Sequence, residues 1–365
     1  MTPLDYALAT IPTDASPKHY GHTWGLMHGY DACYRGQTLR AVAVEEEFRV
    51  PIYNLQGKRL SKSRTFDLAG KIDVDAVDGD RRYVVDHKTT SDDLGAESTY
   101  WQQLAVEGQA SLYILAQHLR GIEVAGAIWD VIRKPGIKPK RITKADAALI
   151  VSLPNTYCEF PVSPASVEYV LHGGKDTTEN AELFGYRVAR ECLNDFDRYF
   201  ARRPVPRLEH EITEYAAELW DVAQDVVTTR QTGRNTRSSG SCMAYGRPCE
   251  YLGICSGYDS PDSNKWQQRE KVHSELETLE DDGRDVLSHS RIRCFQTCKR
   301  KHYYRYEMGI ERAEEEEAEA LYFGSMFHTV LEAWWGCFKV EEEKDNGDRE
   351  NADGGEEDVS GGNYW

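Results

Sequence analysis

Gly70-Lys71-Ile72-Asp73 opens a stretch that runs through Asp78-Gly79-Asp80 to Val84-Val85-Asp86-His87-Lys88-Thr89-Thr90. Two runs of alternating apolar residues, Thr65 to Val77 and Arg82 to His87, flank the Asp78-Gly79-Asp80 triplet. An Asp-Gly between such runs is a strong short-range signal for a β-hairpin. Side chains two apart on a strand share a face, so Asp86 and Lys88 point the same way, and the paired strand can bring Asp73 alongside. Two carboxylates and one ammonium then converge. Hard oxygen ligands of this kind hold Mg²⁺ or Mn²⁺, and a lysine beside them can orient an attacking water or offset charge growing on a phosphate. The chemistry this predicts is phosphodiester hydrolysis; a surface hairpin with ordinary solvated charges is the alternative.

Gly-Lys-Ile-Asp, a hairpin, and then Val-Val-Asp-His-Lys-Thr-Thr resemble the RecB-like branch of the PD-(D/E)XK nuclease superfamily, whose core carries G-x-x-D, then D/E-x-K, then Q-x-x-x-Y. The third element is present as Gln109 and Tyr113, within a predicted helix from Tyr100 to Leu119. In that helix Leu104, Ala105, Leu112, Leu115, Ala116 and Leu119 form one stripe. At roughly 100° per residue Gln109 and Tyr113 fall at its edge, four apart, where both can reach one site. The resemblance implies an α/β restriction-endonuclease-like core with a central mixed sheet flanked by helices. It also implies Asp73 and Asp86 as metal ligands, Lys88 as the residue that positions or activates water, and Gln109 and Tyr113 as orienting groups.

At 365 residues with 40% hydrophobic content the chain can bury one large core or two small ones. No apolar run approaches the length needed to span a bilayer, and no amino-terminal charged-then-apolar signal is present, so a soluble cytoplasmic protein is expected. Nine cysteines without a signal peptide favour metal or cluster ligation over a disulfide framework. A net charge of −17 argues superficially against a nucleic-acid partner, because phosphate binding needs Lys and Arg. Its distribution weakens that objection: Glu341 to Trp365, with ten acidic and two basic residues, supplies −8 of it.

Along the chain, helices are predicted over residues 1 to about 40, broken at Pro12, and a first strand from Leu39 to Ile52, whose Glu45, Glu46 and Glu47 read as the solvated face of an edge strand. A glutamate there joining the metal shell is the alternative. Val124 to Val131 reads as a strand parallel to the Asp86 strand, reached by a helical crossover. The loop from Lys134 to Lys144, with Lys138, Lys140 and Arg141, and the preceding Arg133 are candidates for phosphate contact. Thr178 to Phe200 reads as a helix stopped by Arg202-Arg203-Pro204, and Leu208 to Asp225 as an extended piece followed by a helix. Cys158 and Cys192 read as packing residues.

Cys242, Cys249 and Cys255 lie in a Gly- and Pro-bearing loop that could aim three sulfurs at one point. Three thiolates need a fourth ligand, around zinc or an iron–sulfur cube. In the subset of RecB-like nucleases that this loop resembles, three carboxy-terminal cysteines join one amino-terminal cysteine to hold a [4Fe–4S] cluster. The spacing is not that of a zinc finger, so the cluster is favoured over zinc. Cys33 does not match the family's first-cysteine motif. Leu287 to Tyr306, containing Cys294-Phe295-Gln296-Thr297-Cys298-Lys299-Arg300, does resemble that opening, and maps the first ligand onto Cys298. Ala320 to Trp335 continues it with the helix that supplies a histidine to the metal site, here His328, and imidazole suits Mn²⁺ better than Mg²⁺.

The family's opening therefore follows its ending in this chain, as in a circular permutation. The expected organisation is a nuclease core with the three-cysteine loop at 1–258, a linker at 259–286, a segment completing the core at 287–340, and a disordered acidic tail at 341–365. The expected activity is metal-dependent DNA hydrolysis, of the exonuclease kind, in recombination, repair or phage DNA processing, with a helicase or recombination protein as a possible partner. An inactive DNA-end-binding or partner-docking module is the alternative. The permutation predicts that the His328 helix packs on the Asp73 and Asp86 sheet within one chain, and that Cys298 lies beside the other three cysteines.

Overall fold

The computed structural model describes residues 1–55, 60–174, 176–273, 276, 283–313 and 319–340. The disorder expected of 341–365 lies outside the described residues. Helices α1 (Pro3–Leu8) and α2 (Pro17–Tyr34) precede a meander of three long strands, β1 (Arg40–Asn54), β2 (Ser61–Asp78) and β3 (Arg81–Thr90). The β2–β3 turn is the expected Asp-Gly hairpin, with Gly79 at φ +63°, where a side chain would be strained. Gly70 has a different reason: a Cβ there would stand 2.8 Å from Phe48 Cζ on the neighbouring strand.

The crossover from β3 carries α3 (Thr99–Ala105) and α4 (Gly108–Leu119) and leads to β4 (Gly126–Arg133), which pairs parallel with β3. The single helix expected from Tyr100 to Leu119 is two. Val106 is 84% exposed and Glu107 takes an extended conformation, so the apolar stripe is interrupted and a new helix starts at Gly108. Gln109 consequently stands in the first turn of α4, not mid-helix.

A side structure follows, with α5 (Lys144–Val151), a two-residue hairpin β5 (Thr156–Tyr157) and β6 (Phe160–Pro161), and α6 (Pro164–His172), built around Ile150, Tyr157, Val170 and Leu183. Then come α7 (Ala181–Asn194), α8 (Phe196–Tyr199) and β7 (Phe200–Val205). Arg202-Arg203-Pro204, expected to stop a helix, is instead the middle of β7, antiparallel to β4. β7 is an edge strand, where proline's missing N–H is tolerated. Helix α9 (Glu209–Thr232) follows directly.

After α9 come α10 (Leu252–Ser256), β8 (Trp266–Gln268), β9 (Asp285–Leu287), α11 (His289–Thr297), α12 (Lys299–His302), β10 (Ile310–Arg312) and α13 (Glu319–Gly336). The stretch 259–286 thus contains strands as well as connection: β8 pairs with β10, and β9 pairs parallel with Phe66–Leu68 of β2. The result is a six-stranded mixed sheet in the order β1-β2-β3-β4-β7, with β9 on β2. One face packs on α4, α9 and α11 through residues such as Leu112, Leu219, Val226 and Phe295. The other packs on α2, α7 and α13 through Leu26, Val188, Phe327 and Leu331. Among the described residues no helix is long and apolar enough to cross a membrane.

Candidate active site

The site lies where β1, β2 and β3 run side by side and α4 and α13 close on them. Asp86, on β3, is 3% exposed, and its Oδ2 lies 2.6 Å from Lys88 Nζ, two residues on along the same strand. Lys88 donates to Gln109 Oε1 at 2.8 Å, and Gln109 Nε2 donates to Tyr113 Oη at 2.8 Å. The break before Gly108 makes this possible, since it turns the first helical residues of α4 toward the strand. The Lys88 ammonium also lies 5.2 Å from the centre of the Trp129 ring. A chain Asp86–Lys88–Gln109–Tyr113 therefore fixes the ammonium in one place. Burial pushes the Asp86 carboxyl up to about 6; Asp73 adds to that while Lys88 opposes it. Burial would lower the Lys88 ammonium, but Asp86 and Asp73 overcome it, so the group stays protonated.

Asp73, on β2, accepts from the His87 backbone N–H at 2.8 Å through Oδ2, and the same oxygen lies 3.7 Å from His328 Nδ1 on α13. The helix expected to pack in cis on the sheet does so. Burial lowers the His328 pKa against the pull of Asp73, which keeps the imidazole neutral and its lone pair free to bind a cation.

Glu45, read from the sequence as solvated, belongs here. It sits in β1 with φ +53°, a local irregularity that turns the residue out of the strand's alternation, and it is ion-paired with Lys71. Burial and the neighbouring Asp73 raise its pKa, with Lys71 opposing. Ligand atoms of Glu45, Asp73 and His328 all lie within 4.8 Å of one another, the one such grouping of three or more His, Cys, Asp or Glu among the described residues. Two carboxylates and a neutral imidazole crowded together suit a divalent cation, which would relieve their mutual repulsion. Asp86 stands beside this trio, held by Lys88. Glu46, by contrast, is used structurally, in a two-point pair with Arg120.

The four cysteines also come together. Cys242, Cys249, Cys255 and Cys298 line one cavity of about 620 Å³ with Arg237, Arg247, Arg300, Lys301 and Arg305. The Cys298 sulfur accepts from the Ser238 N–H at 3.4 Å, and the Cys249 N–H donates to the Cys242 carbonyl at 2.8 Å. The sulfurs are not gathered as closely as the Glu45 trio, and four thiolates facing one cavity could hold either zinc or an iron–sulfur cube. Cys33, in the last turn of α2, packs instead against the core, and Cys158 and Cys192 are packing residues as expected.

The basic loop after β4 uses much of its charge internally. Arg133 pairs with Asp93, Lys140 with Asp146 and Arg141 with Asp176, while Lys134 lies over the Phe323 ring.

A family model described as the PD-(D/E)XK nuclease superfamily matches residues 22–256 and 286–358. No match was found among curated proteins or among solved structures. With both segments covered, the mixed sheet carrying acid and lysine and helix α4 the glutamine that follows them, the chain belongs to the PD-(D/E)XK nuclease superfamily.

Proposed function

We propose that the protein is a divalent-metal-dependent deoxyribonuclease, acting as an exonuclease in recombination, repair or phage DNA processing. The observation that carries this reading is the hydrogen-bonded chain Asp86–Lys88–Gln109–Tyr113 standing beside the Glu45, Asp73 and His328 trio. Asp73, Asp86 and His328 hold Mg²⁺ or Mn²⁺, and Glu45 joins them. The cation supplies Lewis-acid polarisation of the phosphoryl group and charge stabilisation. Lys88, kept protonated and aimed by Gln109, orients the incoming water and offsets charge on the phosphate in the transition state. Tyr113 holds Gln109 in turn. Cys242, Cys249, Cys255 and Cys298 hold a [4Fe–4S] cluster that ties the lobe after α9 to the start of α12. The placement of α13 and of Cys298 supports a permuted order of the family's segments.

The test is cleavage of end-labelled linear DNA with Mn²⁺. The wild type should shorten the DNA from its ends only with the cation, and Lys88→Ala should be slower by about 100-fold or more. Metal-independent binding with no cleavage would replace this reading with that of a DNA-end-binding module.

A further inference from the structure

Behind the site lies a buried polar group that the proposed chemistry does not use. Asp130, on β4, is fully buried. Its Oδ1 is 3.1 Å from Arg202 Nε on β7, and its Oδ2 is 3.2 Å from His87 Nδ1 and accepts from Tyr30 Oη on α2 at 2.5 Å. Tyr30 Oη in turn accepts from Arg202 Nη2 at 2.6 Å and from the indole N–H of Trp335, on α13, at 3.1 Å. The Arg202 guanidinium lies 3.7 Å from the Tyr34 ring centre and 4.9 Å from that of Trp335. Burial would raise the Asp130 carboxyl, but Arg202 and His87 hold it well below the usual carboxylate range.

Such a group is costly to bury, and well-packed apolar residues would often serve stability as well. What it does supply is register. Trp335 is seven residues from His328, two helical turns, so both lie on the same side of α13. The apolar ridge of Phe323, Phe327, Val330 and Leu331 repeats every turn and does not by itself distinguish a slip of about 5.4 Å, which would carry His328 away from Asp73; the indole N–H groups do, Trp334 donating to Asp31 Oδ1 at 3.0 Å and Trp335 to Tyr30 Oη at 3.1 Å. The bond from Trp335 to Tyr30 is directional and does not tolerate it. The same carboxylate also fixes His87, whose backbone N–H orients Asp73.

We infer that Asp130, Arg202, Tyr30 and Trp335 form a positioning hub that refers both His328 and Asp73 to one buried carboxylate and so sets the geometry of the cation site. The inference rests on the metal-site reading above. Its test is Mn²⁺ affinity of the full chain, measured by calorimetry without nucleic acid, in a double-mutant cycle. Trp335→Phe, which keeps an aromatic ring and removes the N–H, should bind Mn²⁺ about 10-fold or more weakly, in the range found when groups orienting metal ligands are lost. In a His328→Ala background it should cost nothing further. Tyr30→Phe, which removes the acceptor and keeps the ring, should also weaken Mn²⁺ binding and serves if Trp335→Phe does not fold; its loss should shrink but not vanish without His328, because it also loosens the arm through Asp130 and His87 to Asp73. Unchanged Mn²⁺ affinity in a folded variant, or the same loss with and without His328, would overturn the hub. A wild type that binds no Mn²⁺ would instead overturn the metal site itself, and the hub with it.

Discussion

The sheet site and the cysteine lobe are built on opposite principles. Glu45, Asp73, Asp86 and Lys88 all stand on three hydrogen-bonded strands with apolar cores on both faces, so their geometry is set by the fold before any cation arrives. Cys242, Cys249 and Cys255 stand on turns and one short helix, and the local core is small, with Tyr251, Ile254, Trp266, Tyr304 and Ile310 buried among the described residues. That lobe is joined to the sheet by ion pairs as well as by the apolar side of α11: buried Arg291 reaches Asp285 at 2.7 Å and Glu307 at 3.0 Å, Arg230 reaches the same two carboxylates, and Ile292 and Phe295 enter the core. On the function proposed above, a cation would enter a site that the strands have already built, whereas the lobe would lean on the group its cysteines hold.

The largest effect expected from that contrast is at Cys298. Cys298→Ala should lose iron and the brown colour of anaerobically purified protein, with the melting temperature falling by more than about 5 °C, since a bound structural metal contributes folding free energy. Chelating the catalytic cation should leave the melting curve far less changed. A colourless preparation with one zinc would favour the tetrahedral alternative, and iron lost with Cys33→Ala but not with Cys298→Ala would reassign the fourth ligand.

The same contrast explains what could be read from the sequence. The hairpin and the positions of Asp73, Asp86 and Lys88 followed from period-2 alternation and an Asp-Gly turn, both local signals, and the parallel β3–β4 pair from the helical crossover between the two strands. Gln109 and Tyr113 were legible as a pair, but the break at Val106 and Glu107 was not, because both residues are compatible with a helix and only tertiary contacts decide. β7 was hidden because Arg202 is charged and yet buried, and its partner Asp130 lies some seventy residues earlier. Glu45 was read with its neighbours as solvated; the positive φ that re-aims it leaves no mark in a Glu-Glu-Glu run.

Glu45 gives the second prediction, smaller than the first. Glu45→Gln removes a charge from the trio without removing bulk, so Mn²⁺ affinity should fall roughly 10–100-fold, with little change in fold stability because the side chain is partly exposed. Glu46→Gln, one residue away, should leave Mn²⁺ binding alone and loosen only the contact to Arg120 on α4. Equal effects from the two would mean that β1 contributes nothing beyond general negative charge.

The smallest effect is a pH dependence, and its sign follows from Asp86. With no cation, its folded pKa of about 6 stands above the ordinary aspartate value of 3.8, so the folded chain holds the proton more tightly than the unfolded one. That contribution to stability is fully present below about 3.8 and is lost as pH rises through about 6. A divalent cation reverses the preference, because it competes with the proton and stabilises the ionised carboxylate beside Asp73. The rise in melting temperature on adding Mn²⁺ should therefore be small at pH 5 and grow to a plateau above pH 7, with its midpoint near 6. Asp86→Asn should flatten that profile while leaving the residual Mn²⁺ shift that Glu45, Asp73 and His328 still provide. A profile that stayed steep in Asp86→Asn would move the titration to His328, and a shift independent of pH in the wild type would remove Asp86 from the cation's ligands, leaving it solely as the partner that anchors Lys88.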